Sequence, residues 1–243
     1  MYETLLALLV AHLVADFPLQ PDWMIRRKRN PAVLVLHGLI VTGAAALALG
    51  GWPAEVLAIL VGTHLVMDAI KVYVLKDSLT SFTLDQLVHI AVILALALAF
   101  PATFAQGAWA ALPASAAAGY LVGLCLLGGA IASLMVGAIV IRKATAPFTH
   151  QLSGDIAGLE SGGTYIGWLE RALVMLLILI GQPAGVGFLI TAKSILRFGD
   201  VRDSSQRKLT EYIIIGTFMS FGWGLLVAVL TQLAMRHWLE RLA

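Results

Sequence analysis

Long apolar runs separated by short clusters of charge set the pattern of this chain. A membrane-spanning helix needs roughly 20 mostly apolar residues, within about 17 to 25. Eight stretches come near that length, at about 1–17, 31–50, 54–75, 85–105, 118–141, 165–181, 183–199 and 211–235. The pattern predicts an all-α, polytopic transmembrane helical bundle of about eight spans. The first and seventh stretches are short and partly polar. If either is a broken or half-buried helix, the number falls towards six.

The loops give a direction. "RRKRN" follows the first span, Lys71 and Lys76 the third, Arg142 and Lys143 the fifth, and "RFGDVRDSSQRK" the seventh. The alternate loops, "GGWP", 106–117 and "GQPAG", carry no charge. Basic loops stay on the cytoplasmic side, so the N-terminus is expected outside and the basic loops in the cytoplasm. The tail "RHWLER" is the exception in an eight-span count. The loop at 106–117 divides the chain into two expected halves, 1–105 and 106–243, within one integral membrane domain. The longest cytoplasmic loop, 142–164, is rich in Gly and polar residues and reads as a connector or a lid.

Composition narrows the class. The chain is 60% hydrophobic and 12% charged, with a mean hydropathy of +0.90. Soluble domains carry about 25% charged residues, so this chain has too little polar surface to face water all round. The basic residues punctuate loops and form no stripe with aromatics, which argues against nucleic-acid binding. Cys125 is the single cysteine, so no intrachain disulfide forms. No basic segment precedes the first apolar run, and Asp16 follows it, so the N-terminus is not expected to be a secretory signal.

Three spans carry His and Asp four residues apart: His12 and Asp16, His64 and Asp68, Asp85 and His89. Residues at that spacing share one helix face. The first and third spans run towards the cytoplasm and place His before Asp. The fourth runs back and places Asp before His. All three Asp therefore sit near the cytoplasmic boundary, with the three His roughly 6 Å deeper. His37 reaches a similar depth on the second span. Lys71 follows Asp68 on the same face. Gln20 and Gln86 flank the Asp layer, with Gln86 about 100° around the helix from Asp85.

Ionisable groups at membrane depth are costly and usually face the bundle interior. Imidazoles and carboxylates without sulfur ligands suit Zn, Mn or Fe. His12, His37, His64 and His89 are the candidate metal ligands. Asp16, Asp68 and Asp85 are candidate catalytic groups, as ligands or as a general base. The competing reading is a set of interhelical ion pairs without a metal. There is no HExxH pattern, so the site is not of the zincin type.

The second half supplies cations at the same membrane side. Arg171, Lys193 and Arg197, with Lys71, are candidate contacts for an anionic head group. Glu170 and Glu211 are supporting residues that could instead neutralise two of those cations. Gly216, Thr217 and Ser220 read as small residues for close helix packing. Trp168, Trp223 and Trp238 read as interfacial anchors.

"AHLVADFPLQPDWM", "THLVMDAIK", "LDQLVH", "GWLER", "AKSILRF" and "EYIIIGTFMS" resemble a family of bacterial multi-pass inner-membrane proteins known as domain of unknown function 3307. The resemblance runs through most of the chain and implies a bacterial inner-membrane location, with no activity attached. A fainter similarity, resting on His12, Asp16, His64, Asp68 and His89, links the chain to membrane-bound metal-dependent hydrolases. The paired-histidine entry motif of that group is missing.

Three functions fit these residues. In the first, a divalent metal held by the His layer, with an Asp as base, hydrolyses a lipid or phosphoester at the cytoplasmic leaflet. In the second, the same cluster relays protons or ions in a transporter. The crowding of polar residues into one leaflet argues against that, since carriers more often place polar groups about the midplane. In the third, the pairs hold a membrane scaffold together. Membrane lipids are the expected surroundings in every case.

Overall fold

The computed structural model describes residues 1–149, 161–197 and 207–240. All the regular structure in them is helical. The order is α1 (Tyr2–Asp16), α2 (Asp22–Arg27), α3 (Pro31–Leu49), α4 (Ala54–Tyr73), α5 (Leu79–Ala99), two short 3₁₀ turns, α6 (Ala114–Ile131), a π-helical turn (Ala132–Val136), α7 (Gly137–Thr149), α8 (Gly162–Leu179), α9 (Ala184–Arg197) and α10 (Arg207–Leu239).

Among the described residues, six helices are long and apolar enough to cross a membrane: Pro31–Leu49, Ala54–Tyr73, Leu79–Ala99, Ala114–Thr149, Gly162–Leu179 and Arg207–Leu239. The chain is an all-α membrane protein. The first and seventh expected spans are the two that fall short, at 15 and 14 residues. The fifth extends the other way. α6, the π turn and α7 run on as one helix of 36 residues, about 54 Å at the usual rise. The expected loop at 142–164 is correspondingly shorter, because 142–149 and 162–164 are helical. Residues 150–160 of that loop lie outside the described residues, as does most of "RFGDVRDSSQRK".

The chain forms two compact units, Met1–Ile131 with Ala234–Ala243, and Ala132–Leu233. The 106–117 loop lies inside the first. There α1 packs on α3, α5 and α6. It buries Ala7, Leu8, Val10, Ala11 and Ala15. A helix that is apolar on every side belongs in an interior, which explains why α1 is central although too short to span. Asn30 caps α3, its side chain accepting from the Ala32 amide at 2.9 Å, with Pro31 at the first position. That pairing is a strong helix start. Gly50 ends α3 in the left-handed region at φ 72°.

The end of the first unit away from Asp16 is tied together by side-chain to backbone hydrogen bonds. Thr4 Oγ1 donates to the Pro101 carbonyl at 3.1 Å and accepts from the Phe104 amide at 3.2 Å. Trp109 Nε1 and the Tyr120 hydroxyl donate to the Leu47 and Ala48 carbonyls at 2.7 and 3.0 Å. These carbonyls lie in the last turn of α3, where the regular ladder runs out, and the Leu47 carbonyl also accepts from the Gly50 amide at 3.1 Å. Trp238 is also part of this core, at 3% exposure. Its expected role as an interfacial anchor is corrected, because the ring packs inward.

In the second unit the π turn is braced by side chains. Trp223 Nε1 donates to the Ala132 carbonyl at 2.9 Å. Arg171 donates from Nε to the Ser133 carbonyl at 2.7 Å and from Nη2 to Leu134 at 3.0 Å, while Nη1 reaches Ser220 Oγ at 3.0 Å. A π turn disturbs the regular backbone ladder, and these donors take up the carbonyls it frees.

Candidate metal centre

The first unit gathers the His and Asp residues into one buried cluster. α1 contributes His12 and Asp16, α3 His37, α4 His64, Asp68 and Lys71, and α5 Asp85, Gln86 and His89. Gln20 comes from the turn after α1, and Lys28 from the end of α2. The i, i+4 pairs present both members to the same interior, and the reversed order on α5 lets His89 join the other imidazoles. His64 stacks on His89 with ring centroids 4.1 Å apart and planes 23° apart. His12 lies 5.8 Å from His64 and 5.1 Å from His89, and His37 lies 5.1 Å from His64. His12, His37, His64, Asp68, Asp85 and His89 are all buried.

Four atoms from three helices converge. His37 Nε2 lies 3.1 Å from His64 Nε2. Asp16 Oδ1 lies 3.3 Å from His37 Nε2 and 3.4 Å from His64 Nε2. Asp68 Oδ2 lies 3.5 and 3.4 Å from the same two nitrogens. Neither carboxylate oxygen accepts a hydrogen bond, although both are buried. A buried acceptor without a donor is costly, and both oxygens lie within 3.5 Å of the same two imidazole nitrogens. Three overlapping sets, His12–Asp16–His64, His37–His64–Asp68 and Asp68–Asp85–His89, could each hold a metal ion.

The far sides of the carboxylates are held. Lys28 Nζ donates to Asp68 Oδ1 at 2.7 Å. Lys71 Nζ donates to Asp85 Oδ2, which also accepts from Gln86 Nε2 at 3.1 Å. Gln86 Oε1 faces His12 Nε2 at 3.2 Å, and Gln20 Nε2 faces His37 Nε2 at 3.0 Å. Three carboxylates thus meet two ammonium groups. With neutral imidazoles one negative charge is left over.

Residues 4–114 match the family described as "Protein of unknown function (DUF3307)". This stretch is a DUF3307 domain. It contains the whole cluster, from His12 to His89. No curated protein and no solved structure matches the chain.

One member of the DUF3307 cluster, Lys28, is not legible in its pattern, and Gln86 is expected beside the Asp layer without a sign of what it reaches. Lys28 belongs to "RRKRN", which reads as an orientation signal, and nothing in its spacing points to Asp68. Gln86 sits about 100° from Asp85 on the helix, yet its long side chain bends back to reach both Asp85 and His12. The cations proposed for a head group belong to different units. Lys71 lies in the DUF3307 cluster. Arg171 and Lys193 lie in the second unit, where Arg171 braces the π turn and Lys193 pairs with Glu170 at 2.6 Å. Glu211 pairs with Arg207 at 3.0 Å on the surface. Arg197 ends α9, and its side chain lies outside the described residues.

Proposed function

We propose that the DUF3307 domain holds a divalent metal of the Zn, Mn or Fe kind. It uses the metal to hydrolyse a phosphoester, on a lipid or another phosphorylated substrate, at the cytoplasmic leaflet of a bacterial inner membrane. The convergence of His37 Nε2, His64 Nε2, Asp16 Oδ1 and Asp68 Oδ2 carries this reading. Ligands about 2.0–2.1 Å from a tetrahedral zinc stand about 3.3–3.4 Å from one another. Five of the six separations among these atoms run from 3.1 to 3.5 Å. With the imidazoles neutral, as metal ligands must be, the cluster would carry one negative charge, which a bound cation would pair.

His12 Nδ1 stands 3.8 Å from Asp16 Oδ2, behind the ligand oxygen, and Lys28 holds the other oxygen of Asp68. Lys28 fixes the orientation of Asp68, as partners behind metal ligands commonly do, while His12 makes no hydrogen bond to Asp16 through Nδ1. A metal lowers the pKa of a bound water and so supplies hydroxide at neutral pH. The water gives its proton to solvent, its oxygen bonds to phosphorus, and the ester P–O bond breaks. The departing alkoxide takes a proton from Lys71, which is 31% exposed at the rim and regains one from solvent.

Metal analysis by mass spectrometry tests the reading on full-length protein purified in detergent without chelator. At least one equivalent per chain is expected, and it should be lost in a folded His37→Ala, His64→Ala double variant. A wild type that stays metal-free after reconstitution overturns the metal centre. A metal-loaded wild type that releases no phosphate or alcohol from phospholipids and phosphate esters overturns the hydrolase.

A further inference from the structure

We infer that the DUF3307 domain binds a second divalent cation beside the first, on Asp85 Oδ1 and His89 Nε2, with Asp68 as the shared ligand. This rests on the metal-centre reading above. Asp68, Asp85 and His89 each present a ligand atom within 4.8 Å of the other two. Their exposures are 1%, 0% and 4%. Asp85 Oδ1 and His89 Nε2 stand 3.3 Å apart, near the ligand spacing of a tetrahedral ion, and neither makes a hydrogen bond. Lys71 and Gln86 occupy only the other oxygen, Oδ2. The ligand-facing side of this pair therefore lacks a partner in the same way as Asp16 Oδ1 and Asp68 Oδ2.

The stacking of His64 on His89 sets the two positions side by side. Their centroids are 4.1 Å apart and nearly parallel. Paired hydrolytic metals stand about 3.5–4 Å apart. His64 turns its Nε2 to Asp16 and Asp68, and His89 turns its Nε2 to Asp85. Asp68 belongs to both ligand sets, and with Oδ1 on Lys28 its Oδ2 is the oxygen left to bridge the two positions.

The two positions differ in ligand number. The first has four protein donors, the number of a closed site. The second has three, and sites with three protein ligands keep a place for water or substrate. The second position is therefore where hydroxide forms, with Lys71 at its rim. Two divalent cations against the single left-over negative charge give the cluster three positive charges. That balance suits a phosphoryl group carrying two negative charges, from a lipid phosphomonoester or a soluble one. Hydroxide oxygen bonds to phosphorus, the ester bond breaks, and the alkoxide leaves with a proton from Lys71.

The test counts metals on full-length protein in detergent, loaded with manganese and freed of excess. Wild type is expected to hold two per chain, and His89→Ala and Asp85→Asn one each. Gel filtration and thermal unfolding identify a variant that fails to fold, and the other variant then carries the count. Wild-type protein should also show the exchange-coupled electron paramagnetic resonance spectrum of a manganese pair. One manganese per chain, unchanged in either variant, overturns the second site and leaves the first standing. None in wild type overturns both. Two manganese ions with uncoupled spectra overturn the shared Asp68. Phosphate release from phosphatidic acid but not from p-nitrophenyl phosphate assigns the lipid source, and the reverse assigns the soluble one. No release from either overturns the phosphoryl substrate.

Discussion

Lys28 and Asp68 are 40 residues apart in sequence and 2.7 Å apart in space. Both are buried, at 7% and 1% exposure. One comes from a short helix after α1, the other from the last turns of α4. Their contact holds one oxygen of Asp68 and leaves the other turned towards His37 and His64.

Lys28→Met is expected to destabilise the protein by about 3–5 kcal/mol, because it leaves a buried carboxylate without its cation. Adding Asp68→Asn should recover much of that loss, while metal binding stays impaired. Denaturant unfolding of the single and double variants in detergent gives both numbers. A Lys28→Met protein as stable as wild type would show that Asp68 does not depend on the pair.

Gln86→Leu removes the contacts to His12 and Asp85 without replacing a proposed ligand. Losing such an orienting group typically weakens metal affinity about 10- to 100-fold. Competition with a chromophoric chelator should show weaker binding at unchanged stoichiometry. Unchanged affinity would mean that Gln86 orients nothing.

Arg171→Lys should destabilise the second unit by about 3 kcal/mol or more, since hydrogen bonds to a charged group contribute about 1.5–3 kcal/mol each. An ammonium cannot reproduce the guanidinium's reach to Ser133, Leu134 and Ser220. Metal content is expected to stay at the wild-type value. A drop in metal content with normal stability would contradict the bracing role.

Gly107→Ala would place a Cβ 1.9 Å from the Leu49 carbonyl oxygen, where only backbone can yield. The expected loss is at the upper end of about 1–3 kcal/mol. A thermal melt that matches wild type would show that this end of the first unit repacks freely.

Much of the cluster is legible from spacing. Membrane depth makes each His and Asp expensive, so each must face an interior. The spacing of four puts pair members on one face, and the reversed order on α5 keeps His with His. His12, His64 and His89 do lie against one another, and His37 joins them. Spacing cannot say which atoms meet. It gives no sign that Asp16 reaches across to His37 and His64, nor that Gln86 folds back. Arg171 reads as a head-group contact because a cation at that depth commonly is one. Its partners are backbone carbonyls freed by a π turn, and a π turn leaves no mark in a hydropathy pattern. Trp238 misleads for a related reason, since its place near the chain end hides the core it packs into.

The sequence by itself determined the helical membrane class, the span range and the grouping of His and Asp. Those follow from apolar run length and helical period, which are local properties of the chain. Only the tertiary structure decided that α1 is an interior helix, that Lys28 belongs to the cluster, and that Asp16 and Asp68 each bring an oxygen within 3.5 Å of both His37 and His64. Those depend on how far each side chain reaches across a packed interface, and that distance is set by neighbours far away in sequence.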